Sequence, residues 1–340
     1  MLIAKESKEI TTKENIDEKL MSHFKSKVSS INVVSFFYNT PEIFKKIIFY
    51  ALSQNKTVLY ITNESENRVF LASILKSQGI KCNYLGHKLQ QTLKLGLNII
   101  NHNQALYLEE KFDLVIYDDI NSMPMHDKES IRKLLESCCK GYGTMIGYSI
   151  EPIFYNEVTL FQCPNNNGKP LVEPRIINTR VNVNDDLPQV VYDYLNWSII
   201  SDKKVVIYVP DNEKVENIYN YLIRFRNKLT RNIFSYKSDE KHNRSMLKFL
   251  AKAKGIMITN SFDNGDVDLT GINVMVFFAE HKIFDYKRLV YLSSRASRSR
   301  SLDRGEVIFL SNELSEDMDN AKEILRELNK KAWEAGFLRL

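Results

Sequence analysis

Two arginines, Arg295 and Arg298, stand three residues apart at the end of a stretch whose pattern predicts a helix over 286–297. Residues at this spacing share one face of a helix. The stretch lies between two apolar, strand-like runs at 274–278 and 307–310. Guanidinium groups are planar, permanently charged donors, so the pair suits a polyanion such as a nucleotide phosphate. The spacing fits a solvated basic helix face equally well.

The acidic pair Asp118 and Asp119 is a second candidate, because it directly follows the apolar run 114–117. A carboxylate at the end of a buried strand can hold Mg²⁺ through water. Paired acids also occur as simple helix caps, so the pair leaves both interpretations open. Asn121 and Pro124 are expected to close the turn, and a neighbouring acid or histidine could act as a base.

The glycine-rich loop that normally cradles nucleotide phosphates is missing. Such a loop needs glycines, a lysine and a Ser or Thr, because consecutive backbone N–H groups must converge on the phosphates. The first glycine of this chain is Gly79, and the first strand-to-helix turn, residues 36–42, reads FFYNTPE. Pro41 removes a donor, and Lys45 and Lys46 lie a turn further along. The sequence therefore predicts that phosphate binding of the ordinary kind is lost.

Composition excludes several other classes of protein. The formal net charge of +5, with 26% charged and 44% hydrophobic residues, is typical of a globular protein and compatible with nucleic acid. The four cysteines form no CxxC pair, which predicts no zinc site and no disulfide framework. The polar start of the chain and the lack of an apolar run of about 18 residues predict no signal peptide and no transmembrane segment. These features together predict a cytoplasmic location.

Short apolar runs alternate with amphipathic stretches along almost the whole chain, which predicts parallel β-sheets flanked by helices. Residues 163–188 contain four prolines, and this change of composition indicates a connection between domains. We therefore predict an α/β protein with two copies of one architecture joined by a Pro-rich linker. The predicted boundaries are a polar N-terminal arm over 1–29, a first domain over 30–162, the linker over 163–188 and a second domain over 189–340.

Several motifs resemble those of the ComFA-type late-competence helicase/translocase family, which is related to the PriA group. Residues 111–124, KFDLVIYDDINSMP, resemble the family's FDLVIIDEVDAFP segment. Residues 163–175 are similar to its linker, 279–284 to its AEHPIF motif, and 289–299 to LVQIAGRxGRS. The resemblance covers about residues 31–340. It implies a superfamily-two helicase core of two RecA-like domains, with ATP in the cleft and single-stranded DNA across the top.

The resemblance also implies roles for individual residues. By position, the catalytic residues would be Asp118, Asp119, Arg295 and Arg298, with Mg²⁺ on Asp118; the nucleotide-binding residues would be Asn39, Thr40 and Gly265; and the nucleic-acid-binding residues would be Thr62, His102, Gln104, Ser149 and Thr259.

The departures from the family pattern concentrate on ATP chemistry. Thr40 stands where the lysine of the phosphate loop belongs, and Asp119 stands where the catalytic glutamate belongs. In the first domain, Glu64 replaces the arginine of a TPR motif that grips DNA. Both glycines of the last motif are serines, Ser294 and Ser297. The family's four-cysteine zinc module is absent.

The leading prediction is a degenerate, helicase-like protein that binds nucleic acid while ATP hydrolysis is weak or lost. The first alternative is an active ATP-dependent translocase on single-stranded DNA, with ATP and Mg²⁺ as cofactors. The second is a non-enzymatic scaffold of the DNA-uptake machinery. Single-stranded DNA and competence proteins are the expected partners, and such partners would hold the protein at the inner face of the membrane.

Overall fold

The computed structural model describes residues 8–9, 16–37, 39–85, 96–163, 168–240, 243–262, 272–297 and 305–338. The chain divides into two compact units. The first consists of Met1–Gly168 with Lys330–Leu340, and the second consists of Lys169–Asn329.

The first unit is built on an eight-stranded sheet in the order β1-β8-β2-β7-β6-β3-β5-β4, and every pair of neighbours is parallel. Its strands are β1 (Lys8–Glu9), β2 (Ser30–Val34), β3 (Val58–Thr62), β4 (Cys82–Tyr84), β5 (Leu97–Ile100), β6 (Phe112–Asp118), β7 (Cys139–Ser149) and β8 (Val158–Phe161). Its helices are α1 (Ile16–Lys25), α2 (Lys45–Ser53), α3 (Phe70–Ser77), α4 (His102–Ala105) and α5 (Lys128–Cys138), with a 3-10 turn at Pro41–Phe44.

The central strands of this sheet are buried along their whole length. Every residue of β2, β3 and β5 is buried, as expected for parallel strands with both faces covered. Helix α5 begins where the Asp127 side chain accepts a hydrogen bond from the Ser130 N–H over 2.9 Å, and it packs Ile131 and Leu135 into the core. Helix and strand signals in the sequence therefore led to the correct architecture here.

The second unit has a parallel, six-stranded sheet in the order β11-β12-β10-β13-β14-β9. The strands are β9 (Arg175–Asn178), β10 (Lys204–Tyr208), β11 (Ile233–Tyr236), β12 (Gly255–Thr259), β13 (Asn273–Phe277) and β14 (Val307–Ser311). The helices are α6 (Gln189–Ile200), α7 (Asn212–Arg224), α8 (Arg244–Leu250), α9 (Tyr286–Ser297) and the part of α10 (Glu316–Glu334) that precedes Lys330. Leu195 of α6 and Leu222 of α7 pack with Val205, Ile207 and Met275 of the strands in one core.

Strand β9 lies inside the stretch that the sequence indicates as a linker. It pairs with β14 at the edge of the second sheet, where Phe309 lies opposite Ile176. An edge strand has a single neighbour, and all four residues of β9 are partly or fully exposed. It therefore lacks the apolar run by which the buried strands were recognised. The exact residues predicted to bound the arm, the linker and the two domains remain predictions.

Candidate nucleotide and nucleic-acid site

The carboxyl ends of five neighbouring strands meet at one edge of the first sheet. Since β2, β7, β6, β3 and β5 are parallel and adjacent, the residues that follow them lie side by side. Val34 pairs with Ser149, and Thr62 pairs with Asp118. The structure thus brings together all the predicted site residues of the first unit: Asn39, Thr40, Thr62, His102, Gln104, Asp118, Asp119 and Ser149.

Asp118 is completely buried, and both oxygens of its carboxylate accept hydrogen bonds from protein groups. Oδ1 accepts hydrogen bonds from the N–H groups of Ile120 and Asn121, over 2.9 and 3.1 Å. Oδ2 accepts from the Asn121 side-chain amide over 2.8 Å and from the Tyr60 hydroxyl. A carboxylate has about four lone-pair positions, so these four donors satisfy it. Burial nevertheless raises the pKa of the Asp118 carboxyl.

Asp119 is also buried and is held against the neighbouring strand. Its N–H donates to the Tyr148 carbonyl over 2.9 Å, and its Oδ2 accepts from the Ser149 hydroxyl over 3.3 Å. Two of the predicted site residues are therefore joined directly to each other. Ser149 is completely buried as well. This pair ties the end of β6 to the end of β7.

The turn after β2 contains a buried network of polar side chains in place of a phosphate loop. The Asn39 amide donates to Ser35 Oγ over 2.9 Å and to the Cys163 carbonyl over 3.0 Å. The Tyr148 hydroxyl donates to Gln162 Oε1 over 2.6 Å, and Gln162 Nε2 donates to the Thr40 carbonyl over 3.2 Å. Asn39 and Thr40, the predicted nucleotide-binding residues, are thus tied to the neighbouring strands. Tyr38 lies outside the described residues.

Charge is also poorly placed for a phosphate at this turn. Pro41 begins the 3-10 turn and has no N–H. Lys46 forms an ion pair of 2.7 Å with Asp17 of α1. The Tyr148 ring packs edge-to-face on Phe44, with centroids 5.1 Å apart. The described residues of this turn therefore offer a proline, an ion-paired lysine and a packed aromatic ring where a nucleotide-binding loop would present backbone N–H groups and a lysine.

His102 and Gln104 lie in the short helix that follows β5. Asn101 caps this helix by accepting from the Gln104 N–H over 2.9 Å. His102 is 3% exposed, and its Nδ1 is 2.9 Å from the Tyr117 hydroxyl. Its ring stacks on that of His126, with centroids 3.5 Å apart. Thr62 is also buried, and its hydroxyl accepts from the Glu64 N–H over 3.2 Å. The assignment of these residues to nucleic acid stays a prediction.

His102 should make the stability of the protein depend on pH. Burial, followed by the nearby His126, lowers the pKa of His102 to about 4 from an ordinary value of 6.5, against a smaller opposing effect of Asp127. The unfolded chain therefore takes up a proton between these values and the folded chain does not. We expect the free energy of unfolding to fall by up to about 3 kcal/mol as pH drops from neutral to about 4. Urea unfolding at a series of pH values measures this.

A His102→Gln variant is the matched control, because glutamine keeps a polar side chain and cannot titrate. Its free energy of unfolding should change less with pH than that of the wild-type protein over the same range. Equal pH dependence in the two proteins would show that another group is responsible.

Arg295, the predicted arginine-finger residue of the second unit, is buried within that unit. It is 6% exposed, and its guanidinium donates to the Phe262 carbonyl over 2.7 Å, to the Tyr208 hydroxyl over 3.1 Å and to the Tyr291 hydroxyl over 3.2 Å. The guanidinium carbon lies 5.1 Å from the centre of the Tyr291 ring. The side chain thus joins α9 to the ends of β10 and β12.

Of the other predicted site residues of the second unit, the structure describes Thr259. Thr259, at the end of β12, is buried, and its hydroxyl accepts from the Ser261 N–H over 3.0 Å. Arg298 and Gly265 lie outside the described residues. Their predicted roles remain predictions.

Three of the residues that shape this site were not predicted as site residues: Tyr60, Tyr148 and Gln162. Tyr60 and Tyr148 sit within apolar strand runs, where the sequence favours a core residue over a polar partner. Gln162 contacts the turn after β2 across more than 120 residues of sequence. Only the pairing of β2 with β8 brings Gln162 to this position.

Within the described ranges, no helix combines the length and apolarity needed to cross a bilayer, and no three His, Cys, Asp or Glu side chains come together as a metal site would need.

Comparison with known proteins finds a curated relative by sequence. No family model matches the chain. Over 248 residues, 69% of this chain and 53% of the relative, the sequence is 22% identical to the Competence protein ComFA of Bacillus subtilis (strain 168).

The fold is similar to that of solved helicases. The crystal structure of the DUF1998 helicase MrfA bound to DNA has a TM-score of 0.53 and 15% identity, and the match covers 93% of this chain and 48% of that one. MrfA bound to DNA and AMPPNP has a TM-score of 0.51 and 14% identity, covering 92% of this chain and 50% of that one.

These similarities confirm the predicted resemblance to ComFA-type helicase-like proteins and the predicted pair of RecA-like domains. The chain spans about half the length of each of these proteins.

Proposed function

We propose that this chain is a helicase-like protein that binds nucleic acid and in which ATP hydrolysis is weak or lost. The similarity to ComFA and to a helicase solved with DNA supports the first part of the proposal. Single-stranded DNA is the proposed ligand, and the ends of the strands described above are its proposed binding edge. A cytoplasmic location, with competence proteins as partners, belongs to the same proposal.

The observation that carries the loss of hydrolysis is the full occupation of the Asp118 carboxylate. In the site that the resemblance to helicases implies, this group would hold Mg²⁺ through water, which requires a lone pair directed at solvent. Here all four positions face Tyr60, Ile120 and Asn121. The network around Asn39 is a second obstacle to phosphate binding. The Asn39 side-chain amide already donates to Ser35 Oγ and to the Cys163 carbonyl. The residues present do not fit an ATP-Mg²⁺ complex of the ordinary kind.

Titration calorimetry with ATP and Mg²⁺, together with a steady-state hydrolysis assay, tests the proposal. Charge-assisted hydrogen bonds from a phosphate loop each contribute about 1.5–3 kcal/mol, so losing several should weaken binding by at least about 1000-fold. We expect no saturable binding at ordinary nucleotide concentrations and no stimulation of hydrolysis by single-stranded DNA. Fluorescence anisotropy with labelled single-stranded DNA should still show binding that weakens steeply with salt.

The main alternative is an active, ATP-driven translocase, and the similarity to a helicase solved with AMPPNP is the observation that favours it. Magnesium-dependent hydrolysis that DNA stimulates and that Asp119→Asn abolishes would establish this alternative. A protein that binds neither nucleotide nor DNA would instead be a scaffold.

A further inference from the structure

One edge of the second sheet collects three basic segments. Because β10, β11 and β12 are parallel neighbours, the residues that precede them lie together at the amino edge of the sheet. These residues are 202–204, 224–232 and 248–255, which we call the amino-edge patch. Asn232 connects two of the segments: its carbonyl accepts from the Ile256 N–H over 2.9 Å, and its amide donates to the Lys254 carbonyl over 3.2 Å.

The patch is far more basic than the rest of the chain. It contains nine lysines and arginines and a single acid, Asp202. The whole chain has a net charge of only +5, so everything outside the patch is net acidic. A concentration of this kind on one edge is the electrostatic footprint expected of a polyanion-binding surface.

Six of the nine cations are exposed, and within the described residues none of the six takes part in an ion pair. They are Arg224, Arg226, Lys228, Arg231, Lys248 and Lys252. Two others have internal roles: Lys204 Nζ donates to the Leu250 carbonyl over 2.7 Å at the end of α8, and Lys254 pairs with Asp202 at 2.7 Å. The exposed charges are therefore available to an external ligand.

The backbone holds the densest segment, 224–232, in a defined position. Phe225 packs against Tyr192 and Tyr221, with ring centroids 5.6 and 5.2 Å apart. The N–H groups of Lys228 and Leu229 donate to the Phe225 carbonyl over 2.8 and 2.9 Å. The cations of this segment thus project from an ordered loop, which reduces the entropy that binding would cost.

The opposite edge of the same three strands differs in charge. Acids cluster at the carboxyl ends, at Asp211, Glu213 and Asp239. The lysines there are paired: Lys237 with Glu216, and Lys214 with Glu213 at 3.9 Å. A phosphate backbone would therefore be attracted more strongly to the amino edge than to this part of the carboxyl edge.

We propose that the amino-edge patch is a second nucleic-acid-binding surface, which contacts the phosphate backbone without reading sequence. Arginine and lysine spread over three segments match a ligand that repeats its negative charge at regular intervals, and the guanidinium group suits phosphate in particular. The proposal goes beyond the strand-end site and does not need ATP. Within the described residues, the exposed large apolar side chains near the patch on α6 and α8 are Trp197, Ile200 and Leu247. Binding to anionic phospholipid is therefore the competing outcome of the test.

The test variant is Arg226→Glu, Lys228→Glu and Arg231→Glu in the full chain. Its matched control carries the same change in charge in the first unit, Lys27→Glu, Lys81→Glu and Lys111→Glu, at three exposed positions. A third variant, Arg226→Lys with Arg231→Lys, keeps the charge. Circular dichroism and thermal unfolding should be unchanged in all three, because the side chains are on the surface.

Anisotropy with labelled single-stranded DNA, measured from about 0.05 to 0.2 M salt, provides the readout. Losing three phosphate contacts should make the negative slope of log K against log salt shallower by about 2 and weaken binding roughly 100-fold near 0.1 M salt. The control and the charge-preserving variant should bind like the wild-type protein. An unchanged slope in the triple variant would overturn the proposal.

Two further measurements distinguish this surface from a membrane-binding surface and from the strand-end site. If the triple variant keeps its affinity for DNA but loses binding to anionic phospholipid vesicles, the patch is a membrane surface and the proposal is wrong. Gln104→Ala tests the strand-end site in the same anisotropy assay: a loss there, with none in the triple variant, would support the proposed function and overturn only the second surface. A loss in the triple variant alone would support the second surface and contradict the strand-end site.

Discussion

Replacing Asp118 with alanine is expected to lower the free energy of unfolding by about 3–4 kcal/mol and to leave nucleotide turnover, if any, unchanged. The substitution removes the acceptor of four donors on three residues: the Tyr60 hydroxyl, the Ile120 N–H, and the side chain and N–H of Asn121. An unsatisfied buried donor costs about 1–3 kcal/mol, and partial relaxation keeps the total below the simple sum. Urea unfolding followed by circular dichroism measures the change.

Tyr60→Phe is the graded control for this prediction. It removes one of the four donors and keeps the ring in the core, so we expect a loss of about 1–2 kcal/mol. A protein in which Asp118→Ala unfolds like the wild type, but in which Mg²⁺-dependent nucleotide binding disappears, would contradict our interpretation. Asp118 would then be a metal-binding residue.

Replacing Arg295 with alanine is expected to destabilise the second unit by about 3 kcal/mol. The guanidinium bonds to Tyr208, Tyr291 and the Phe262 carbonyl, so its removal leaves a cavity and buried polar groups without partners. Hydrogen exchange followed by mass spectrometry should show faster exchange in α9 and β10, because these are the elements that the side chain connects. Peptides from the first unit act as an internal control.

Arg295→Lys distinguishes packing from charge. A lysine cannot reproduce three hydrogen bonds from a planar fork, so most of the destabilisation should remain. An arginine finger would behave differently, because its loss would reduce turnover by about 1000-fold or more and leave exchange rates unchanged. Reduced turnover with unchanged exchange rates would show that Arg295 has the catalytic role that its position in the sequence suggests.

Much of the fold was predictable because parallel, buried strands have a strong local signal. Strands such as β3 and β12 are buried along their whole length and apolar up to a final threonine. Apolar residues in the helices between the strands recur at helical spacing. An element without that signal lies within the predicted linker. Strand β9 is short, half-exposed and surrounded by prolines, and only its pairing with β14 identifies it.

The position of the site was predictable from the sequence, whereas the hydrogen-bond partners that decide its chemistry were not. The order of parallel strands places Asp118, Asp119 and Ser149 at one edge, as the strand-end rule implies. The partners that determine what these groups can do come from elsewhere in the chain. Tyr60 reaches Asp118 from the neighbouring strand, 58 residues away, and nothing in the local sequence distinguishes it from a core tyrosine.

The absence of a phosphate loop can be predicted from the sequence alone. Glycine and lysine are requirements of local backbone geometry and charge, so their absence from residues 36–42 can be read directly. Three features depended on tertiary structure: the donors that bond to Asp118, the bonds that hold Arg295 and the convergence of basic segments on one edge. Each joins residues far apart in sequence, and sheet order alone decides which of them become neighbours. Charge and polarity are properties of single residues, whereas availability to a ligand is a property of what packs beside them.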